Sequence, residues 1–146
     1  MRSAVYIIKP EALQYADCIR QMITAAGLQI VDYRVVTFEP EEIDGISEHV
    51  KGDLRKATHR YYSAGPCEIG IVQGERAFRQ LADLCGHAVA PRDCGTDTIR
   101  ARFGILEPVE FGSALYYLNG FHCSRTEQEA ESDRRVFDRI VGRQAT

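Results

Sequence analysis

The sequence lacks the features that mark membrane, secreted and zinc-binding proteins. No apolar run is long enough to span a membrane, and the N-terminus has no signal-peptide pattern. The five cysteines are odd in number and none form a C-x-x-C pair, which argues against a disulfide framework and against a zinc site. We therefore expect reduced thiols, no membrane association and a cytoplasmic location.

The chain also lacks a strong excess of charge, internal repeats and linkers. A net charge of -3 gives no general attraction to nucleic acid, so no specific nucleic-acid binding is expected. An anionic ligand would need a local cluster of basic groups. The 146 residues are most economically one domain, spanning 1–146, with a real hydrophobic core.

The hydrophobic pattern alternates between strand-like and helix-like segments. Short apolar or β-branched runs predict strands at about 3–8, 28–38, 68–73 and 114–118. Helical spacing predicts helices that start at Pro10 and Pro40, a clear one ending at Cys85, and a last one ending near Val141, before Gly142. Segment 52–63 shows no clear pattern, and 86–113 reads as a long loop.

This order of elements predicts an α+β fold. Its core, βαββαβ, is the ferredoxin-like arrangement, a four-stranded antiparallel sheet with helices on one face. Extra helices and the long loop before the last strand complete the expected architecture.

The stretch from Asn119 to Glu127 lies between the predicted last strand and last helix. His122 would stand where unpaired backbone N–H groups and the helix dipole favour an anion such as phosphate. The helix has two competing N-cap pairs, Ser124 with Glu127 and Thr126 with Glu129.

Asp133 falls on the apolar face of that last helix, three residues after Ala130 and four before Phe137. A carboxylate there is costly unless it is paired, and a ring N–H of His122 is a suitable partner. The alternative is a solvated Asp133 at the edge of the face and an ordinary histidine at a strand end.

Four separated segments carry a family resemblance. They are 7–11 (IIKPE), 63–66 (SAGP), 95–100 (GTDTIR), and Asn119-x-x-His122-x-Ser124 with Asp133 downstream. In this order and spacing they resemble the nucleoside diphosphate kinase family, over about residues 3–141. The resemblance implies transfer of the γ-phosphate of a nucleoside triphosphate to a nucleoside diphosphate through a phosphohistidine, by a ping-pong mechanism.

By this resemblance His122 is the nucleophile, a role that suits imidazole near neutral pH. Asp133 matches the family's glutamate that orients the histidine, although it is one methylene shorter. Ser124 matches a serine close to the transferred phosphate. The alternative for Ser124 is a helix N-cap alone.

Lys9 and Arg100 match basic residues on the phosphates, and Asn119 matches a side chain that contacts the sugar. Taken singly, Lys9 could be solvated, Arg100 could form a loop salt bridge, and Asn119 could belong to a turn. The resemblance further implies Mg²⁺ bound through phosphate oxygens, nucleoside tri- and diphosphates as substrates, and a homo-oligomer.

The chain departs from the family pattern around the site. Cys123-Ser124-Arg125 stands where the family usually has Gly-Ser-Asp, the Arg-Pro-Phe-Phe run with its base-stacking aromatic is missing, and 100–119 is longer. Possible substitutes are Tyr61 or Tyr62 for the base and Arg92, Arg102 or Arg125 for charge. The departures leave two alternatives, a weak or inactive nucleotide-binding relative and a structural subunit.

Overall fold

The computed structural model describes residues 2–145. Its strands are β1 (Arg2–Ile8), β2 (Gln29–Val36), β3 (Cys67–Gly74), β4 (Val109–Phe111), β5 (Ala114–Tyr116) and β6 (Phe121–Cys123). Its α-helices are α1 (Ala16–Ala25), α2 (Pro40–Ile46), α3 (Gly52–Tyr62), α4 (Ala77–Cys85), α5 (Ile99–Phe103) and α6 (Glu127–Gln144), and 3₁₀ turns cover Pro10–Tyr15 and Pro91–Asp93. Within residues 2–145, no helix combines the length and hydrophobicity needed to cross a bilayer.

Four strands form one antiparallel sheet in the order β2-β3-β1-β6. β1 lies between β3 and β6, and its residues from Ala4 to Ile8 are all buried. A strand covered on both faces is apolar throughout, which explains the run of β-branched residues. The predicted α+β fold with a four-stranded antiparallel ferredoxin-like sheet is confirmed.

Alternate residues of β1 enter two separate cores. Tyr6 and Ile8 pack with α1 and α4 on one face, as the ferredoxin-like pattern predicts. Val5 and Ile7 pack on the other face with Ile43 of α2 and with the apolar side of α6. The additional helices therefore cover the second face of the sheet, and this is the face on which Asp133 approaches the strands.

The prediction for the last strand was wrong. Segment 114–118 contributes β5, which pairs with β4 in a separate hairpin, and the fourth strand of the sheet is β6. His122 is thus the middle residue of a strand, opposite Ile7 of β1, and does not lie in a connection between the last strand and the last helix. Phe121 and Cys123 are buried, whereas Leu115 is 54% exposed. Burial of apolar surface therefore favours 121–123 over 114–118 as the fourth strand of the sheet.

Two segments without a clear pattern are structured. Residues 52–62 form α3, and the predicted long loop 86–113 contains a 3₁₀ turn, α5 and β4. Thr98 is the N-cap of α5, because its side-chain oxygen accepts a hydrogen bond from Ala101 N at 3.3 Å.

Helix α6 begins at one of the two predicted caps and ends later than predicted. Thr126 is its N-cap and accepts from Glu129 N at 3.1 Å, so the second of the two competing caps is used. The helix continues through Gly142 to Gln144. A glycine inside a helix costs about 1 kcal/mol, and the ion pair of Arg143 with buried Glu42, at 2.8 Å, offsets that cost by anchoring the last turn.

Candidate functional site

His122 and Asp133 meet between β6 and α6. Oδ2 of Asp133 lies 3.0 Å from Nε2 of His122, and Asp133 is only 2% exposed. The buried carboxylate therefore has the partner that its burial requires, and the solvated alternative does not occur. Because the carboxylate accepts a hydrogen bond from the N–H at Nε2, Nδ1 is the ring nitrogen left for a reaction partner.

Ser124 lies two residues beyond His122 and is fully buried. Its Oγ accepts a hydrogen bond from Val5 N at 2.7 Å and lies 3.2 Å from Val5 O, to which it can donate. The side chain thus extends the pairing of β6 with β1, and it does not cap α6. Its contact with a transferred phosphate stays a prediction.

Lys9 is buried at the end of β1 and is not a solvated lysine. Its Nζ donates to Oδ1 of Asn119 at 2.8 Å and lies 5.1 Å from the centre of the Tyr62 ring. Burial lowers the pKa of Lys9 to about 8, and the neighbouring charge of Arg100 also acts to lower it, whereas Glu11 opposes the shift. The ammonium group is therefore desolvated, and an anionic ligand beside it would stabilise its positive charge.

Asn119 and Arg100 hold the backbone around the site. Asn119 Nδ2 donates to Val89 O at 3.0 Å, so this side chain does more than form a turn. The buried Arg100 donates from Nε to Phe121 O at 3.0 Å and from Nη1 to Ala88 O at 2.9 Å. The guanidinium bonds carbonyl oxygens, which differs from the loop salt bridge considered above.

His122 opens on two cavities. One of about 190 Å³ is lined by Lys9, Asn119 and His122. A second of about 290 Å³ lies on the Asp133 side and also contains Glu129. A larger cavity of about 430 Å³, beside the start of β1, contains none of the predicted site residues. The chemistry therefore favours the cavity of about 190 Å³, which is lined by Lys9, Asn119 and His122 together.

The aromatic substitutes suggested by the sequence are already engaged within the chain. The ring of Tyr61 stacks on Tyr116, with the ring centres 5.2 Å apart. Tyr62 is 3% exposed and lies under the Lys9 ammonium. Both rings are therefore engaged by other side chains, and Tyr61 lines neither of the cavities that contain His122.

The three arginine substitutes lie in different surroundings. Arg125 donates to Gly86 O at 2.8 Å, and Arg102 lies over the Phe103 ring at 5.1 Å. Arg92 is exposed on the 3₁₀ turn. None of the three lines either cavity that contains His122.

Cys123 points away from His122 into the core that contains α4. A hydrogen bond from Cys123 to Cys85 and burial both raise the pKa of Cys123 well above its usual value. The same bond lowers the pKa of Cys85 to about 6, against the effect of burial. Cys123 therefore keeps its proton and is a weak nucleophile.

Three exposed aliphatic residues that the sequence did not indicate line the 190 Å³ cavity: Leu54, Val89 and Leu115. Leu54 lies in the segment without a pattern, and Leu115 lies in the strand that was assigned to the wrong sheet. Their only sequence signal is hydrophobicity, and many exposed residues share it.

Comparison with known proteins gives a family match and several similar folds. The family model "Nucleoside diphosphate kinase" matches residues 2–139. The fold is similar to that of the nucleoside diphosphate kinase of Aquifex aeolicus, with 19% identity, 93% of this chain and 94% of that chain covered, and a TM-score of 0.74. The enzyme of Pyrobaculum aerophilum is 21% identical, with 92% of this chain and 93% of that chain covered and a TM-score of 0.72. The enzyme of Borrelia burgdorferi, solved as a transition-state mimic with vanadate and ADP, is 17% identical, with 92% of this chain and 85% of that chain covered and a TM-score of 0.76.

Proposed function

Because the chain belongs to the nucleoside diphosphate kinase family, we propose that it moves the γ-phosphate of a nucleoside triphosphate to a nucleoside diphosphate through a phosphohistidine at His122. The observation that carries the proposal is the arrangement of His122. Its ring is fixed by buried Asp133 and lines a cavity with Lys9 and Asn119.

The first half-reaction forms a bond between Nδ1 of His122 and the γ-phosphorus. The bond from that phosphorus to the β,γ-bridging oxygen breaks, and its electron pair leaves with the nucleoside diphosphate. Asp133 accepts the hydrogen bond from Nε2 and stabilises the positive charge that develops on the ring. A second nucleoside diphosphate then attacks the phosphorus and restores neutral His122.

The other site residues act on charge and orientation. Lys9 and Arg100 neutralise the phosphates, Asn119 positions Lys9 and contacts the sugar, and Ser124 lies close to the transferred group. Within residues 2–145 there is no group of three or more His, Cys, Asp or Glu side chains placed to hold a metal. In the proposed reaction Mg²⁺ would enter with the nucleoside triphosphate and would help to neutralise the charge on its oxygens.

The test is a two-step labelling experiment. The protein is incubated with γ-labelled ATP and Mg²⁺ and then chased with GDP. We expect acid-labile label on the wild type that moves to GDP, no label on His122→Ala, and normal label on His87→Ala, because that histidine lies on the surface beside Asp83. Label on His122→Ala, or label that GDP does not remove, would contradict the mechanism.

A second candidate is a relative that binds nucleotide without transferring phosphate. The engagement of both cations favours it, since Lys9 bonds Asn119 and Arg100 bonds two carbonyl oxygens before any ligand arrives. Each bond that a phosphate must replace lowers the net gain from binding it. ATP binding without label on the wild type would select this candidate.

We further propose that the chain assembles with copies of itself through β2, in a cytoplasmic setting. β2 is an edge strand on which Val31, Tyr33 and Val35 are all about half exposed. Such an edge is normally protected or paired, and a second β2 would pair with it symmetrically. The free state of all five cysteines supports a reducing compartment.

A further inference from the structure

Three exposed aliphatic side chains surround the mouth of the 190 Å³ cavity. They are Leu54 of α3 at 41% exposure, Val89 after α4 at 63%, and Leu115 of β5 at 54%. Exposed apolar residues scattered singly need no explanation, but three that converge on one opening do. Deeper in the same cavity lie Lys9 and His122.

The hairpin that carries Leu115 is fixed to α3. Asp53 accepts two hydrogen bonds from Ser113, from its backbone N and its Oγ, both at 2.8 Å. Gly112 makes this close approach possible, because it has a φ of 58° and a Cβ there would lie 2.4 Å from Asp53 Oδ2. The docked turn holds one end of the hairpin on the first turn of α3.

An aromatic contact fixes the other end of the hairpin. Tyr116 of β5 stacks on Tyr61 of α3 with the planes 17° apart, and Phe111 of β4 meets the same ring edge-on at 6.5 Å. Leu115 and Leu54 are therefore held by the same two elements, so their relative position does not depend on a ligand.

We propose that Leu54, Val89 and Leu115 form the apolar surface that receives the nucleoside part of the substrate, and that the β4–β5 hairpin determines how tightly it binds. This inference rests on the proposed function. If the terminal phosphate reaches Nδ1 of His122, the nucleoside end must leave through the mouth, where these side chains are.

The chemistry of this surface differs from base stacking on an aromatic ring. Tyr61 and Tyr62 are engaged inside the chain, and the three exposed side chains that line this cavity are aliphatic. Aliphatic side chains give contact area and no hydrogen bonds. Leu115 is thus a residue that contacts the nucleoside and sets its affinity, and Asp53 is a positioning residue that acts through the hairpin.

The test separates nucleoside contacts from phosphate contacts. Affinities for ADP and for inorganic pyrophosphate are measured with Mg²⁺ for wild type, Leu115→Ser and Leu106→Ser. Leu106 is a matched control, because it is 53% exposed and lies outside both cavities that contain His122. We expect Leu115→Ser to weaken ADP binding by about tenfold with pyrophosphate unchanged, and Leu106→Ser to change neither.

A second variant tests the position of the hairpin. Asp53→Ala removes both bonds to Ser113, whereas Asp53→Asn keeps an acceptor for the Ser113 N–H. We expect the alanine variant to bind ADP more weakly and pyrophosphate as tightly as the wild type. The asparagine variant should recover most of the ADP affinity. A purely structural role would instead lower both affinities together with the melting temperature.

The possible failures are distinguishable. The inference would be overturned if Leu115→Ser bound ADP as tightly as the wild type, or if it lost affinity for ADP and pyrophosphate equally. Either result would leave the proposed function standing. A wild type that binds neither ADP nor pyrophosphate would overturn both.

Discussion

The carboxylate of Asp133, on the second turn of α6, holds the ring of His122 on β6 through a contact of 3.0 Å to Nε2. The two residues are eleven apart in sequence, and the packing of α6 on the second face of the sheet brings them together. The helix therefore sets both the orientation of the ring and the tautomer that leaves Nδ1 unprotonated.

Asp133→Asn is expected to slow formation of the phosphoenzyme by at least about tenfold, because an amide can donate to Nε2 and stabilise the wrong tautomer. Asp133→Glu keeps the carboxylate and should retain most of the rate. Rapid-quench measurement of labelled protein checks both variants, with circular dichroism as the control for folding. Equal rates for Asp133→Asn and wild type would show that the carboxylate does not orient the ring.

Lys9 makes phosphate binding depend on pH. Burial lowers its pKa to about 8, so the free protein loses this positive charge as the pH rises through that value. A bound phosphate favours the charged form, so ADP should bind with proton uptake above about pH 8 and more weakly as the pH rises. Calorimetry at high pH in two buffers of different ionisation enthalpy measures the uptake. Lys9→Met should abolish it, and equal heats for the wild type in both buffers would refute the prediction.

The lowered pKa of Lys9 also makes folding stability depend on pH, but stability increases as the pH rises, whereas ADP binding weakens. The pKa of Lys9 is about 8 when folded and 10.5 when unfolded, so the unfolded chain binds more protons between these values. Stability should therefore rise with pH across that window, relative to Lys9→Met. Denaturant unfolding of both proteins at several pH values measures the difference, and parallel pH curves would contradict the assignment.

Glu42 links the end of α6 to α2. It is 1% exposed, and both its oxygens accept from Arg143, at 2.8 and 2.9 Å. Burial acts to raise its pKa, but the Arg143 hydrogen bonds prevail, so the pKa lies below the ordinary value. Glu42→Gln should lower the free energy of unfolding by about 2–3 kcal/mol at neutral pH, because it removes the negative charge from a buried, hydrogen-bonded ion pair.

The pH dependence of this loss follows from the lowered pKa. Stabilisation by Glu42 is complete above the pKa of the unfolded chain and is lost as the pH falls through the folded value. Wild type and Glu42→Gln should therefore converge in acid. Glu41→Gln is the control, because this neighbour is exposed and lies farther from its arginine, at 3.5 Å. A constant difference down to acid pH would exclude the ion pair as the cause.

The exposed edge of β2 predicts self-association. Replacing Val31 and Val35 by lysine places charges on a strand edge and should shift the sedimentation mass of the protein towards the monomer. Leu106→Lys, an equally exposed apolar position elsewhere, should leave the mass unchanged. A monomeric wild type, or an unaffected double variant, would remove β2 as the interface.

The sequence determined the framework because its signals there are local. The buried run of β1, the helical spacing of Phe78, Leu81 and Cys85, and the order of elements were sufficient to predict the antiparallel sheet. Asp133 was informative for the same reason, since a carboxylate on an apolar helical face requires a partner close by.

Only the tertiary structure decided which segments pair and where elements end. Segments 114–116 and 121–123 are both short and apolar, and the difference between them is the burial of Phe121 and Cys123 beside β1. Gly142 is a reasonable helix end by local rules, but the contact of Arg143 with Glu42 extends α6 beyond it. The cluster of Leu54, Val89 and Leu115 likewise has no local signal, because it exists only once the hairpin is docked on α3. Long-range contacts supply the free energy in each case, and sequence periodicity does not record them.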